Sequence, residues 1–196
     1  MKNKSINLLV KLAMLSAVAV ALILFEFPLP FIAPPFYEID FSEVPVLVGA
    51  FAFGPWAGAV IEGAKILLNL LINGTVTAGV GELSNFVLGV VFVLPAAWVY
   101  QKNKTKKGAL YGLLTGTALL LVLGCFINAY VMLPAYGNAF GMPISAFVEM
   151  AAQIHPAIDS VLEFVLFCVL PFNLIKAVLV SVITLLIYKK LSPILH

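Results

Sequence analysis

The chain closes with a long apolar segment that contains a single lysine. The segment begins Pro171-Phe172-Asn173-Leu174-Ile175-Lys176, continues through apolar residues to Tyr188 and stops at Lys189-Lys190. It is long enough to cross a bilayer, which places Lys176 about 18 Å of helix from the basic end. A lysine at that depth costs on the order of 2.5–3.5 kcal/mol to insert. We therefore expect it to face a partner or an internal cavity rather than to snorkel to the surface.

Composition places the rest of the chain in the membrane as well. The 196 residues are 63% hydrophobic and only 10% charged, and their mean hydropathy is +1.12. A soluble domain needs a polar surface that this composition does not supply. The net charge of +2 and the lack of arginine give no reason to expect a nucleic-acid partner or a bidentate phosphate clamp. Cys125 and Cys168 lie in apolar segments without CxxC spacing and are predicted to be packing residues.

The charges predict six membrane-spanning helices with both termini in the cytoplasm. Nine of the 11 lysines fall on one side of the membrane only if there are six crossings. They are Lys2, Lys4, Lys11, Lys102, Lys104, Lys106, Lys107, Lys189 and Lys190. All the acids except Glu62 lie in or beside the segments of the opposite side. The predicted fold is an all-α membrane protein, one domain over residues 1–196, with a long ordered first extracellular loop.

That first loop, Phe25 to Pro45, is rich in proline and in aromatic residues. Proline lacks a backbone N–H and restricts the residue before it, so this stretch does not form a spanning helix. Its acids alternate with apolar residues, which favours a structured lid folded into the mouth of the bundle over an interfacial aromatic belt. The first predicted helix, residues 6–25, carries Ala13, Ala17 and Ala21 four residues apart. Such a smooth stripe either packs inside the bundle or docks another membrane protein.

Polar residues of three predicted helices are expected to meet in the outer half of the membrane. Asn128 lies near the end of the fifth helix, residues 108–133, which Pro134 is predicted to close, and Asn173 and Lys176 lie near the start of the sixth. Asn85, one turn into the fourth helix, is a further candidate. Amides and an ammonium together supply donors and acceptors. Aromatic residues are available above them, namely Phe36, Tyr37, Phe41, Tyr130 and Tyr136. This combination suits a flat, neutral heteroaromatic ligand.

Two other charged groups invite a functional interpretation. Glu62 and Lys65 are three residues apart in the third helix and can pair, either structurally or as a contact to a partner at the cytoplasmic side. His155, Asp159 and Glu163 recur every four residues in a predicted amphipathic helix, residues 146–162, a spacing that suits a metal. A polar face turned to water is favoured, because no further His or Cys lies near, and no metal site is predicted.

Four segments in order resemble a known family. They are FPLPFIAPPFYEIDFSEVP, FGPWAG, INAYVMLPAYG and PFNLIK, and they resemble the riboflavin-specific substrate-binding subunit of bacterial energy-coupling-factor (ECF) vitamin transporters. The resemblance implies a vitamin site near the extracellular face, polar flavin contacts from Asn128, Asn173 and Lys176, and a loop with Ile39, Asp40 and Phe41 that closes over the ring. It implies that the alanine stripe docks a membrane coupling subunit, which works with two ATPases in the bacterial plasma membrane. Residues 143–163 depart from the family pattern, being long and helical.

No hydrolytic nucleophile, HExxH motif or P-loop is visible in the sequence, so we expect a transport subunit without a cofactor rather than an enzyme. Riboflavin is the expected ligand, and its 5′-phosphate (FMN) or another vitamin such as thiamine is an alternative. Two readings from other classes stay open. One is a stand-alone proton-coupled carrier that uses Glu62 and Lys65, and the other is a metal-dependent membrane enzyme that uses His155, Asp159 and Glu163.

Overall fold

The structure, a computed structural model, describes residues 2–195, and the side chains of residues 5–190. Most of it is helical. The elements in chain order are α1 (Lys2–Ile23), β1 (Phe27–Pro28), β2 (Glu38–Ile39), α2 (Glu43–Phe53), α3 (Pro55–Asn73), α4 (Val80–Lys102), α5 (Lys106–Ile127), a π-helical turn π1 (Asn128–Met132), α6 (Leu133–Phe140), α7 (Ile144–Ala152), α8 (Val161–Phe164), a second π-helical turn π2 (Val165–Val169) and α9 (Leu170–Leu195).

Five segments of the described chain are long and apolar enough to cross a membrane: residues 5–23, 55–73, 80–102, 106–140 and 161–190. A membrane protein with several long helices is therefore confirmed. The second predicted helix is the exception, because α2 has only 11 residues, about 16 Å of helix. Its end lies level with the end of α4, where Gln101 Nε2 donates a hydrogen bond to the carbonyl oxygen of Phe51 over 2.9 Å. The helix therefore begins well inside the bundle.

The loop of residues 24–42 explains why α2 is short. Its two ends form a small antiparallel hairpin in which Phe27 pairs with Ile39 and Pro28 with Glu38. The loop then descends into the bundle, so that Ile39 and Asp40 are fully buried. Residues 24–42 thus replace the first turns that a full-length second helix would have. We call the end of the bundle that carries them the loop end.

Each π-helical turn stands two residues before a proline. π1 ends at Met132 before Pro134, and π2 ends at Val169 before Pro171. A proline ring collides with the carbonyl group four residues earlier, and the wider π turn relieves that collision without ending the helix. The prediction that Pro134 closes the fifth helix is therefore wrong, because the helix continues through α6 to Phe140.

The helices α4 and α5 approach each other unusually closely. Gly112 and Gly116 of α5 face the backbone of α4, and a Cβ atom at either position would overlap the carbonyl oxygen of Ala96 or Phe92. Glycine is required there because only a missing side chain lets two helix backbones touch. This contact fixes one wall of the bundle.

Lysines and acids separate along the bundle as the sequence predicts. Lys11, the cluster from Lys102 to Lys107 and the pair Lys189-Lys190 lie at the end opposite the loop end, because the helices alternate in direction. The side chains of Lys2 and Lys4 lie outside the described residues. The acids of residues 26–43, Glu82, Glu149 and Asp159 lie toward the loop end. The sequence prediction that the loop end faces the outside rests on this separation.

Candidate functional site

A cavity opens at the loop end between the loop of residues 24–42 and helices α3, α4 and α9. Its open volume is about 1030 Å³, a figure that includes the mouth and the solvent space there. Apolar and aromatic side chains form much of the wall, and Asn69, Ser84, Asn85, Asn173 and Lys176 add polar groups. The sequence prediction of a hollow beside the last helix thus coincides with this cavity.

Lys176 lines this cavity, but its charge is already compensated. Its Nζ lies 2.8 Å from Oδ2 of Asp40, and the lysine side chain is 16% exposed while the aspartate side chain is buried. The backbone N–H of Ser42 donates to the other oxygen of Asp40 over 2.7 Å. Burial opposes ionisation of Asp40, but the charges of Lys176 and Lys65 and these hydrogen bonds outweigh it and hold its pKa well below the ordinary value.

Asn173 is the polar group most clearly available to a ligand. It lines the cavity one turn before Lys176, on the same face of α9, and only 4% of the residue is exposed. Its Nδ2 has no hydrogen-bond partner among the described residues. Leaving a buried amide donor unsatisfied costs about 1–3 kcal/mol, and a ligand carbonyl would recover that energy.

Asn128, in contrast, has both ends of its amide occupied. Its Oδ1 accepts a hydrogen bond from the hydroxyl group of Tyr37 over 2.8 Å, and its Nδ2 donates to the carbonyl oxygen of Gly124 over 2.8 Å. The side chain is fully buried, whereas Tyr37 lines the cavity. A direct contact between Asn128 and a ligand therefore requires Tyr37 to move.

The other predicted site residues divide between the cavity and its surroundings. Asn85 lines the cavity. Ile39 and Asp40 are buried in the loop beneath the cavity wall, and Phe41 packs against the apolar core of α1–α5 and α9. Tyr130 is not brought to the cavity: it is 76% exposed on the outside of the bundle, where it stacks on Phe126. Tyr130 lies two residues after Asn128, and residues at that spacing lie on opposite faces of a helix.

Aromatic rings form one wall of the cavity. The ring centroid of Phe36 lies 4.9 Å from that of Tyr37 and 5.2 Å from that of Tyr136, and Tyr37 lies 5.4 Å from Phe172. These four residues line the cavity, and Phe147 of α7 packs edge-on against Phe36 behind them. Rings at such distances offer faces and edges on which a flat ligand stacks.

A buried triad of charges lies next to the cavity, and the sequence analysis identified only part of it. Lys65 Nζ lies 2.7 Å from Oε1 of Glu62 and 2.8 Å from Oε1 of Glu43. All three residues are buried, and Glu43 lines the cavity. The predicted Glu62–Lys65 pair is therefore present, but it lies inside the bundle and not at a cytoplasmic docking surface. Glu43 was missed because its partner is 22 residues away in sequence.

Three acids that the sequence analysis did not select line the mouth: Glu26, Glu38 and Glu82. Glu82 Oε2 accepts hydrogen bonds from the hydroxyl groups of Thr75 over 3.0 Å and Thr77 over 3.1 Å. Burial raises the pKa of Glu26 to about 7, with further increases from the charges of Glu38, Asp40 and Glu82. Burial and then Asp40 also raise the pKa of Glu38. The sequence signal that could have identified these three acids is the concentration of acidic residues in the first loop and at the start of α4.

The predicted metal spacing does not form. Residues 153–160 are irregular, since α7 ends at Ala152 and α8 begins only at Val161. The helix predicted for residues 146–162 is thus wrong in its second half, where His155-Pro156 interrupts it. Glu163 Oε2 instead accepts hydrogen bonds from the backbone N–H of Asp159 and the hydroxyl group of Ser160. Among the described residues no group of three His, Cys, Asp or Glu side chains is placed to hold a metal.

The alanine stripe of α1 faces away from the bundle. Ala13, Ala17 and Ala21 are all exposed, whereas Leu15, Ala19 and Ile23 of the same helix are buried. Of the two interpretations left open by the sequence, packing inside the bundle does not apply within this chain. The stripe is a smooth surface directed outward.

Comparisons with known proteins agree with one another. Residues 7–188 match the model of the family described as "ECF transporter, substrate-specific component". The riboflavin transporter FmnP of Bacillus subtilis (strain 168) is 36% identical over 186 residues, 94% of this chain and 92% of the relative. The riboflavin transporter RibU of Staphylococcus aureus (strain TCH60) is 34% identical over 184 residues, 94% and 89% of the two chains. A solved structure described as the S component of a bacterial ECF transporter superposes with a TM-score of 0.76 at 32% identity, covering 100% of this chain and 99% of the other.

Proposed function

The chain belongs to the substrate-specific (S) components of ECF transporters, and from that premise we propose that it captures riboflavin in the cavity at the loop end. It serves riboflavin uptake, as its relatives' names state for them. Membership of this family makes the chain a transport component and not an enzyme. The motif resemblance found in the sequence is thereby confirmed.

The observation that carries the ligand assignment is the unpaired amide of Asn173 beside the aromatic wall. Riboflavin has a flat, uncharged ring system whose polar edge alternates carbonyl oxygens with an N–H group. The rings of Phe36, Tyr37 and Tyr136 suit its faces. The Nδ2 of Asn173 and the Nζ of Lys176 are donors for its carbonyl oxygens, and Asn85 adds an amide on the opposite wall. Asn128 contributes by holding Tyr37.

Uptake requires partners that this chain does not contain. In our proposal the chain crosses the bacterial plasma membrane six times with both termini inside, α2 and the inserted loop together replacing one full-length helix. The exposed stripe of Ala13, Ala17 and Ala21 docks a membrane coupling subunit, because small side chains let a second helix approach closely. Two ATPases bound to that subunit supply the energy for release of riboflavin to the cytoplasm.

A fluorescence titration tests the ligand. Purified protein in detergent is mixed with riboflavin, whose fluorescence is expected to be quenched as the ring stacks on aromatic side chains. Thiamine at the same concentrations serves as the control ligand, since it lacks the imide edge. Saturable quenching with one site per chain and no competition by thiamine supports the assignment. Binding of thiamine in preference to riboflavin contradicts it.

A further inference from the structure

We propose that Asn69 of α3 is a ligand contact, whose side-chain oxygen accepts a hydrogen bond from a hydroxyl group of the ribityl chain of riboflavin. The inference rests on the proposed function and deepens it, because it names a group that recognises the sugar-alcohol chain rather than the ring. The sequence analysis did not select Asn69. The structure brings it into the wall of the cavity.

Three buried polar atoms of the cavity lining have no hydrogen-bond partner among the described residues. One is a donor, the Nδ2 of Asn173 on α9. Two are acceptors, the Oδ1 of Asn69 on α3 and the Oε2 of Glu43 on α2. Only 6% of Asn69 is exposed. Because an unsatisfied buried polar atom destabilises the free protein, a ligand that supplies the missing donors on the side of α2 and α3 recovers that loss.

Two ion pairs place the unpaired amides of α3 and α9 at similar depth. Lys65 of α3 binds Glu43, and Lys176 of α9 binds Asp40, each over 2.8 Å. Since Asp40 and Glu43 are three residues apart, the two lysines lie at nearly one level. Each lysine is one helical turn farther from the loop end than the unpaired amide of its own helix. The two amides therefore reach the cavity at similar depth from different helices.

The chemistry of riboflavin decides which of its donors reaches Asn69. Riboflavin carries one ring N–H group and the hydroxyl groups of the ribityl chain. The ring N–H lies between the two carbonyl oxygens for which Asn173 and Lys176 are the donors, so it is directed toward α9. The hydroxyl groups are the donors that remain for the acceptors on α2 and α3.

The surroundings of Asn69 suit a hydroxylated chain better than a ring. The aromatic wall described above is formed by the loop of residues 24–42, α6 and α9. Residues 69–85 contribute mainly polar side chains to the lining, namely Asn69, Thr77, Glu82, Ser84 and Asn85. A ligand with a flat ring and a polyol chain therefore fits with the ring against the aromatic wall and the chain toward α3.

Lumiflavin tests this assignment, because it has the same ring as riboflavin and a methyl group in place of the ribityl chain. Asn69→Leu removes the acceptor and keeps a side chain of similar size. It should weaken riboflavin binding by about fivefold to thirtyfold, the equivalent of one hydrogen bond, and leave lumiflavin binding unchanged. Fluorescence titration of the purified protein in detergent measures both affinities. Asn69→Ala is a second variant with the same expected result, for use if leucine is not accommodated.

Thr184→Val is the matched control. Thr184 is fully buried and its Oγ1 also has no hydrogen-bond partner among the described residues, but it does not line the cavity. The substitution should leave both affinities unchanged. In the ligand-free protein neither Asn69→Leu nor Thr184→Val should lower the melting temperature, because each replaces an unsatisfied polar group by an apolar group of similar shape.

The possible results separate this inference from the proposed function. Riboflavin binding that Asn69→Leu leaves unchanged would overturn the role of Asn69. Equal weakening of riboflavin and lumiflavin would overturn the assignment of Asn69 to the ribityl chain. Failure of riboflavin to bind the natural protein would instead overturn the proposed function.

Discussion

The Nζ of Lys176 lies 2.8 Å from Oδ2 of Asp40, although the two residues are 136 positions apart in the chain. This ion pair ties the inserted loop to α9 at the wall of the cavity. Lys176, which we expect to contact the ligand, is thereby oriented by the loop that we expect to cover it. Loop position and ligand contact are consequently not independent.

A double-mutant cycle tests this connection. Lys176→Met leaves the buried Asp40 unpaired and should destabilise the protein by about 3 kcal/mol, the low end for such pairs because Lys176 borders the cavity. Asp40→Asn keeps an acceptor for Ser42 but leaves Lys176 uncompensated. The double variant should lose less stability than the sum of the losses of the two single variants. Thermal unfolding in detergent measures all three, and additive losses would show that the pair contributes nothing.

Asn173→Ala should weaken riboflavin binding about fivefold to thirtyfold, the equivalent of one hydrogen bond of about 1–2 kcal/mol. Tyr130→Ala is the matched control, because Tyr130 faces outward and should leave the affinity unchanged. Fluorescence titration measures both. Equal effects of the two substitutions would remove Asn173 from the site.

Tyr37→Phe tests the indirect role of Asn128. It deletes the hydroxyl group that donates to Asn128 while keeping the ring that lines the cavity. We expect a modest loss of affinity, about fivefold, and the same loss for Asn128→Ala. The two substitutions together should cost little more than either one. If Asn128→Ala is far more harmful, then Asn128 contacts the ligand directly.

Lys65→Met should be among the most destabilising single substitutions, since it leaves Glu43 and Glu62 buried without their shared cation. The expected loss is about 3–5 kcal/mol, seen as a large fall in melting temperature. Adding Glu43→Gln and Glu62→Gln should recover part of it. Lys106→Met, which alters an exposed lysine, is the control and should have little effect. A Lys65→Met protein as stable as the control would contradict the triad's role.

Ala17→Leu should abolish riboflavin uptake by whole cells while leaving riboflavin binding by the purified protein unchanged. The larger side chain would hold the coupling subunit away from α1. Ala118→Leu makes the same change at an exposed position of α5 and should preserve uptake. Loss of uptake in both variants would mean that the stripe has no special part in docking.

The raised pKa of Glu26 predicts a pH dependence of stability. Its value of about 7 in the folded protein exceeds the ordinary 4.5, so between these pH values the folded state holds a proton that the unfolded state has released. Stability should therefore fall as the pH rises from about 4.5 to 7. Glu26→Gln should flatten this fall, and Glu149→Gln should not. If the melting temperatures of Glu26→Gln and of the natural protein change with pH in the same way, burial of Glu26 has no such effect.

Periodicity and charge predict most of the helices, because a bilayer demands about 20 apolar residues per crossing and sorts lysines to one side. They also indicate the cavity, since a lysine at the depth of Lys176 has few other acceptable environments. They do not reveal its partner. Asp40 is hidden in a loop far away in sequence, and nothing in the local pattern distinguishes it from the neighbouring acids.

The errors have local causes. A proline ends a helix in most settings, but the wider turn π1 accommodates the ring of Pro134, and the helix continues. Tyr130 faces outward because it lies two residues after the buried Asn128, and helical residues at that spacing lie on opposite faces. The spacing of His155, Asp159 and Glu163 suggested one helical face, but Pro156 interrupts the helix that would have aligned them.

The backbone contact between α4 and α5 at Gly112 and Gly116 restricts how the cavity can change shape. Two helices whose backbones touch cannot slide or separate independently, so α4 and α5 behave as one rigid unit. We therefore expect a ligand to enter and leave through displacement of the inserted loop, which also lines the cavity. A substitution that separates α4 from α5 would destabilise the fold before it changed how a ligand enters.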